Sequence, residues 1–201
     1  MLVKHNKVRT VVREILVLAV MITAILAARS TLADHYHVPS GSMQETLQIG
    51  DRVLVDKRAY GFRLPFTSVQ LTNGDAVARG EIVIFDSPRD GTRLIKRIVA
   101  VAGDTVSLRD GHLQINGQWL SEGLAPNVEL FGQRRATLDL EDGGGPDIDM
   151  LVPPGMLLAI GDHRGNSADS RVFGAFPESA VYGRALAVYY RRGNGFGWHE
   201  L

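Results

Sequence analysis

Residues 38–56 read VPSGSMQETLQIGDRVLVD, a turn followed by a strand-like run. Pro39 fixes its own φ and biases Val38 towards an extended conformation, and Gly41 permits backbone shapes that other residues avoid. Such a turn can present the Ser42 hydroxyl outward and direct its backbone N–H at a bound carbonyl oxygen. The stretch predicts either an exposed serine nucleophile or a Ser/Gly/Pro linker ahead of a β domain.

The residues next to this serine favour a catalytic turn over a linker. Ser40, two residues earlier, can supply a second hydrogen-bond donor to the same oxygen. Three apolar residues after the serine predict a packed approach instead of a flexible tether: Met43, Leu47 and Ile49. A serine needs a base to attack a carbonyl, so another part of the chain must supply one.

The candidate base is Lys96, in the apolar segment Arg93–Val101 (RLIKRIVAV). Alternate residues of a strand share a face, and three apolar residues share the face of Lys96: Leu94, Ile98 and Ala100. Burial on such a face lowers the pKa of a lysine, and Arg93 and Arg97 are expected to lower it further by like-charge repulsion. A neutral lysine can deprotonate a serine, whereas a lysine at a sheet edge would reach out to solvent.

Residues 160–174 (IGDHRGNSADSRVFG) follow a predicted strand and are rich in charges and hydroxyls. We expect each aspartate to pair with one of the arginines, and a serine to offer its hydroxyl to the site. These residues are Asp162, Arg164, Ser167, Asp169 and Arg171. The same composition is typical of a solvated surface loop. The spacing of the oxygen ligands does not match a calcium loop, so no metal site is predicted.

An apolar run near the N-terminus, residues 15–28, is interrupted only by Thr23. Its 14 residues rise about 21 Å as a helix, less than the roughly 30 Å hydrocarbon core of a bilayer. A helix over residues 11–30 makes a short transmembrane anchor if its charged side chains reach the headgroups. Basic residues precede the run, which places residues 1–10 in the cytoplasm and residues 31–201 on the far side.

This apolar run has two other interpretations. A cleaved secretory signal has a similar apolar length, but the exit from the run, AARSTLAD, offers no clean Ala-x-Ala cleavage site. A buried core helix is disfavoured because the run is apolar on every face.

The periodicity from His37 onward is mostly β. Predicted strands are 52–56, 81–85, 93–101, 105–109, 112–115, 118–120, 156–160 and 181–190. Asp110-Gly111 and Asn116-Gly117 are strong hairpin signals, because both pairs tolerate positive φ. Residues 124–154 are polar and predicted to be loop-rich. The predicted fold is mostly β, with a small inserted β subdomain at residues 105–153.

Composition excludes several classes of protein. Lys+Arg and Asp+Glu are both 22, so no domain-wide basic surface for nucleic acid is expected. Cysteine is absent, which excludes disulfides, thiolate zinc sites and a cysteine nucleophile. The 22 glycines and 8 prolines agree with the many turns of a β-rich chain.

Three segments in this order, PSGSM…GD, IKRIVAVAGD and GDxRxNSxDSR, resemble the hallmark blocks of the type I signal peptidases. These leader peptidases are membrane-anchored Ser/Lys serine proteases that trim leader peptides from exported proteins. The likeness extends to residues 79–85 and, with the anchor, touches most of the chain except residues 107–153. It implies a signal-peptidase-like, β-rich catalytic core beside the membrane, with a β insert.

The resemblance implies that Ser42 is the nucleophile and Lys96 the general base, with the Ser42 backbone N–H and the Ser40 hydroxyl forming the oxyanion hole. Ser167 would orient Lys96. The third block would be braced by further charged residues: Asp162, Asp169 and Arg171. Cleavage would follow small residues at positions −1 and −3 of the signal peptide, with no cofactor and no metal.

The chain departs from the family pattern at three positions. His163 stands where Asn is usual, Gly165 where Asp is common, and Leu94 where an aromatic residue often precedes the Ile-Lys pair. Neither His163 nor Gly165 is at a catalytic position of the pattern. We therefore expect altered bracing of the loop with activity retained.

The implied partners are signal-peptide-bearing preproteins and the lipid bilayer, at the inner (plasma) membrane of a bacterial cell. Four apolar residues are candidates for a rim that touches lipid, or equally for the core: Phe62, Leu64, Pro65 and Phe66.

The sequence also suggests alternative functions. A dedicated maturation peptidase of a pilus or conjugation system would use the same chemistry, and an inactive membrane-tethered β module would bind export partners without it. A self-cleaving repressor is disfavoured because no helix-turn-helix precedes the core. A Ser-His-Asp hydrolase built on His112 or His163 lacks the Gly-x-Ser-x-Gly elbow.

Overall fold

A computed structural model describes residues 2–31, 33–61, 71–72, 74–123 and 125–201. A long helix, α1 (Leu2–Thr31), comes first. The strands in the described chain are β1 (Ala33–His37), β2 (Arg52–Asp56), β3 (Ile82–Asp86), β4 (Arg93–Val101), β5 (Thr105–Arg109), β6 (His112–Ile115), β7 (Gln118–Trp119), β8 (Ser121–Glu122), β9 (Ala125–Phe131), β10 (Arg134–Thr137), β11 (Ile148–Leu151), β12 (Met156–Ile160), β13 (Phe176–Pro177), β14 (Val181–Arg191) and β15 (Gly195–Glu200). A single helical turn, α2 (Ser170–Phe173), and a 3-10 turn, Glu178–Ala180, lie between β12 and β14.

The main sheet is antiparallel and has the order β1-β2-β14-β3-β4-β12-β13, with β15 also pairing to β14. β14 is the long central strand, and register irregularities in its pairing with β2, β3 and β15 bend it. β4 lies between β3 and β12, and its consecutive residues 95–100 are all buried, so both of its faces are covered by protein. This position explains why its sequence reads as an almost continuous apolar run.

Two small sheets follow β4 in the chain. One has the order β11-β5-β6-β7 and the other β10-β9-β8. Both are formed by residues within the predicted insert at 105–153. A shared apolar core joins them to β4 and β12, since Val106, Leu113 and Phe131 of the insert pack with Ala100 and Leu158 of the main sheet.

The mostly-β class is confirmed, and the strands predicted from periodicity are present with ends that differ by one residue at most. Both hairpin predictions are also confirmed, because Asp110 and Asn116 adopt positive φ angles of 48° and 52°. Such angles suit the tight two-residue connections that join β5, β6 and β7.

The prediction that residues 124–154 are loop-rich is wrong, because β9, β10 and β11 lie there. β9 carries a fully buried charge, Glu129, which breaks the apolar alternation expected of a strand. β1 and β15 were also not predicted. Both are largely exposed edge strands, and an edge strand lacks the apolar face on which sequence patterns depend.

The predicted anchor region is helical, and the apolar side chains of α1 are exposed along residues 11–26. None of the helices formed by the described residues contains an apolar stretch that could span a bilayer. The prediction of a transmembrane anchor at 11–30 is therefore not confirmed. The predicted apolar rim at Phe62, Leu64, Pro65 and Phe66 lies outside the described residues.

Candidate active site

The turn that carries Ser42 is a closed, packed structure. Two backbone hydrogen bonds close its base, from the N–H of Val38 to the carbonyl of Asp51 and from the N–H of Gly50 to the carbonyl of Val38, each 2.9 Å. Met43 and Leu47 are fully buried beneath the turn, whereas Ile49 is exposed. A flexible linker would bury neither residue, so the linker interpretation of this stretch is wrong.

β4 positions Lys96 directly against this turn. The Lys96 side chain is 3% exposed, and its Nζ donates a hydrogen bond to the Ser42 Oγ. The Ser42 residue is itself 9% exposed, so little water reaches the contact. Ser42 and Lys96, which are 54 residues apart in sequence and were predicted as nucleophile and base, are therefore in contact.

Burial lowers the pKa of Lys96 from 10.5 to about 8. Asp169 and Asp162 oppose this shift by favouring the ammonium form, and Arg171 adds to it. The predicted contributions of Arg93 and Arg97 are wrong: the charged groups that shift the pKa of Lys96 are Asp169, Asp162 and Arg171. Arg93 and Arg97 are instead paired with carboxylates, Asp86 and Asp162. The resulting pKa leaves a useful fraction of neutral amine at neutral pH.

Asp162 pairs with Arg97, whereas the sequence predicted Arg164 or Arg171 as its partner. The Arg97 guanidinium donates two hydrogen bonds to this carboxylate, 2.9 Å and 2.7 Å long, and both side chains are buried. The Thr46 hydroxyl also donates to Asp162. The pair therefore ties the residue after Lys96 to the loop that follows Ser42. No feature of the sequence predicted this role for Thr46.

Asp169 and Arg171 form the predicted pair, through two hydrogen bonds of 2.8 Å. Asp169 also caps the α2 turn and accepts a hydrogen bond of 2.9 Å from the backbone N–H of Gly161. The Arg171 guanidinium further donates to the carbonyl of Gly144. These contacts fix the third block in place beside Lys96.

Arg164 has a partner that the sequence analysis missed, Glu129 on β9. Both side chains are fully buried, and the Arg164 guanidinium donates to both carboxylate oxygens. Arg164 also donates to the carbonyl of Gly111, while Glu129 accepts from the backbone N–H of Leu113. An acidic residue in a polar stretch gives no sign from sequence that it will be fully buried.

Ser167 does not make the predicted hydrogen bond to Lys96. Its Oγ is buried and has no hydrogen-bond partner among the described residues. A Cβ placed on Gly161 would lie 2.3 Å from this Oγ and 2.3 Å from the carbonyl oxygen of Ser42. Ser167 thus packs against the α-carbon of Gly161, close to the turn that carries Ser42, while the Lys96 Nζ donates its hydrogen bond to Ser42.

Ser40 is exposed, and its Oγ lies 3.5 Å from the Ser42 Oγ.

His163 is buried, and its imidazole Nε2 lies 2.9 Å from a carboxylate oxygen of Asp142. The hydrogen bonds of the Ser42 hydroxyl in the described chain run to Ser40 and Lys96, not to this imidazole. The Ser-His-Asp alternative therefore has no support from the contacts of His163.

The arrangement places an alcohol against an amine of lowered pKa in a site that excludes most water. Such a pair can generate an alkoxide and attack a carbonyl without a metal or cofactor. Among the residues that the structure describes, no group of three His, Asp or Glu side chains is arranged to hold a metal ion.

The sequence model of the family described as "Signal peptidase, peptidase S26" matches residues 9–190. The chain belongs to this family. Its members are serine peptidases that cleave signal peptides, so the chain is an enzyme of the signal peptidase I type. The three sequence blocks that resembled this family were therefore correctly interpreted.

Two sequence relatives agree with this assignment. Signal peptidase I of Pseudomonas fluorescens is 34% identical over 191 residues, which cover 82% of this chain and 67% of that protein. A probable signal peptidase I-2 of Synechocystis is 32% identical, with 85% and 70% covered. A crystal structure of a signal peptidase I from Enterococcus faecalis has a TM-score of 0.42 at 35% identity, covering 55% of this chain and 97% of that one.

Proposed function

We propose that this peptidase cleaves signal peptides from exported preproteins with a Ser/Lys dyad, Ser42 as nucleophile and Lys96 as general base. The observation that carries the proposal is the buried hydrogen bond from the Lys96 Nζ to the Ser42 Oγ. The lowered pKa of Lys96 supports it, because only a neutral amine can accept the serine proton.

The reaction begins when the neutral Nζ of Lys96 takes the proton from the Ser42 Oγ. The oxygen attacks the scissile carbonyl, and the bond to the leaving amine breaks as the Lys96 ammonium returns the proton to that amine. The acyl group is now an ester on Ser42. Lys96, neutral again, takes a proton from water, whose oxygen attacks the ester. The bond from the acyl carbon to the Ser42 Oγ then breaks, and the Lys96 ammonium returns its proton to that oxygen as the acid product leaves.

The oxyanion formed in each attack needs hydrogen-bond donors that are already in place. The backbone N–H of Ser42 and the hydroxyl of Ser40 are the proposed donors. The closed base of the turn supports this role for the backbone N–H, because a donor that is held in place does not have to reorganise. Shallow apolar subsites would admit the small residues at −1 and −3.

The pH dependence of kcat/KM tests the identity of the base. Because Lys96 must be neutral, kcat/KM should rise with pH, with a midpoint near the pKa of about 8, and level off above it. Below the midpoint it should fall about tenfold per pH unit, so that pH 6 gives roughly a hundredth of the plateau. Initial rates on a short peptide substrate measure the profile. A midpoint near 6.5, where histidine titrates, would instead favour a histidine base.

Cleavage itself is tested with a purified precursor and the chain in detergent. The expected product has one new N-terminus directly after a small residue, which mass spectrometry identifies. An intact precursor would favour the inactive binding module. Processing of one pilus-type precursor, with general secretory precursors left uncut, would favour a dedicated maturation peptidase.

Attachment to lipid is the remaining part of the proposal, and it would place residues 31–201 on the extracytoplasmic side of a bacterial inner membrane. The exposed apolar side chains of α1 support it, as do Phe196 and Trp198 on β15, which are 84% and 58% exposed. Apolar surface in contact with lipid avoids the cost of exposure to water.

Flotation on liposomes measures this attachment. A chain with Leu18→Lys and Ile22→Lys should move from the floating to the bottom fraction, since a lysine in the hydrocarbon core costs about 2.5–3.5 kcal/mol. Leu151→Lys, which changes a leucine of β11 that is at least as exposed as these two residues, is the matched control and should still float. Equal flotation of both variants would argue against α1 as the attachment.

A further inference from the structure

The carbonyl of Ser42 is held by the third block. The backbone N–H of His163 donates to it over 3.2 Å. This bond fixes the peptide plane that follows Ser42 and so restricts the orientation of the serine itself. The position of the nucleophile thus depends on what holds His163.

The backbone around His163 is held by the inserted subdomain. Asp139, which follows β10, forms a parallel bridge with His163. Its N–H donates to the carbonyl of Asp162, and its carbonyl accepts from the N–H of Arg164, each over 3.0 Å. The backbone of Asp139, a residue of the insert, is therefore hydrogen-bonded to both residues that flank His163 in sequence.

The side chain of His163 is held by the same segment. Its Nε2 lies 2.9 Å from the Asp142 Oδ2, and its Nδ1 lies 3.5 Å from the Asp139 Oδ2. The imidazole is 8% exposed, whereas the Asp142 side chain is 59% exposed. Asp142 can therefore be altered from the surface without opening the core.

Two departures from the family pattern meet at Asp142. His163 contacts its carboxylate, and a Cβ on Gly165 would lie 2.2 Å from its carbonyl oxygen and 2.7 Å from its Cβ. The absence of a side chain at Gly165 thus allows the segment that carries Asp142 to pack close to His163. His163 and Gly165 therefore take part in the same contact between the insert and the third block.

We propose that the inserted subdomain positions the nucleophile, and that His163, held by Asp142, is the positioning residue through which it does so. This inference rests on the proposed role of Ser42. His163 does not touch the reacting atoms; it acts through the carbonyl of Ser42. Loss of its support should therefore lower kcat more than it changes KM.

The test compares Asp142→Ala with Asp142→Asn, which retains a hydrogen-bond acceptor for His163. Asp142→Ala should lower kcat about 3- to 10-fold, the equivalent of one hydrogen bond, with KM within about twofold of the parent. Asp142→Asn should recover most of the loss. Glu141→Ala removes the same charge from the neighbouring exposed position and should leave kcat unchanged.

A thermodynamic cycle with His163→Ala completes the design. If Asp142 acts only through His163, the double variant should have the same kcat as His163→Ala alone. Parent-like kcat in Asp142→Ala, a change confined to KM, or strictly multiplicative losses would each overturn the inference. Ser42→Ala, assayed in parallel, separates the two ideas, because activity in that variant would refute the dyad itself.

Discussion

Replacing Lys96 by methionine should lower kcat/KM for precursor cleavage by about 10⁴-fold, the upper range for loss of a general base. Methionine retains an unbranched apolar side chain at the buried position but cannot accept the proton of Ser42. Steady-state cleavage of a precursor peptide, followed by mass spectrometry, measures the effect. Lys57→Met is the matched control. The Lys57 ammonium lies over the ring of Tyr182, so its removal should leave the rate within about twofold.

The same substitution should stabilise the fold at neutral pH. The Lys96 pKa is lowered from 10.5 to about 8, so protonating this lysine in the folded state costs roughly 3 kcal/mol more than in the unfolded chain. That penalty is fully present below pH 8 and disappears as pH rises from 8 to 10.5. We therefore expect a gain of about 1–3 kcal/mol in Lys96→Met at pH 7, reduced by the lost hydrogen bond to Ser42.

Urea unfolding at pH 7 and pH 10 measures this gain, which should shrink at the higher pH. A fully active Lys96→Met would refute the proposed base. A variant that is inactive but destabilised at pH 7 would instead mean that the lysine contributes to folding. Activity and stability are thus expected to move in opposite directions at this residue.

Replacing Asp162 by alanine should lower the free energy of unfolding by about 3–5 kcal/mol, because the change leaves the buried guanidinium of Arg97 without its carboxylate. It also removes the acceptor of the Thr46 hydroxyl, on the loop beside Ser42. Denaturant unfolding gives the loss. Because Asp162 favours the ammonium form of Lys96, any folded fraction should show its kcat/KM midpoint at lower pH than the parent.

The control for this prediction is an exposed ion pair in the same chain. Asp149 pairs with Arg109 over 2.6 Å, but its side chain is 69% exposed. Asp149→Ala should therefore change stability by less than about 1 kcal/mol. Similar losses at the two aspartates would show that burial does not determine the strength of the Arg97–Asp162 pair.

The sequence predicted the central part of this structure because its signals are local. The Pro/Gly turn at Ser42, the apolar strand around Lys96 and the Asp-Gly and Asn-Gly hairpins each depend on residues close together in the chain. The meeting of Ser42 and Lys96 was reached by chemical reasoning, since a nucleophile requires a base.

The ion pairs were harder to predict because their partners are distant in sequence. Arg97 and Asp162 are 65 residues apart, and Glu129 and Arg164 are 35 apart. Physical chemistry requires a buried charge to be paired, but the sequence does not identify the partner of each charged residue. The sequence of residues 160–174 suggested that its aspartates and arginines pair with each other, and of the pairs predicted there the structure forms Asp169–Arg171.

Gly161 has an implication for natural variation and for engineering. The crowding there comes from the Ser42 carbonyl and the Ser167 hydroxyl, not from an unusual backbone torsion. Even alanine, the smallest replacement, would collide with the turn that carries Ser42. Mutational libraries aimed at new cleavage preferences should therefore hold this codon constant, since a methyl group here would displace Ser42, the proposed nucleophile.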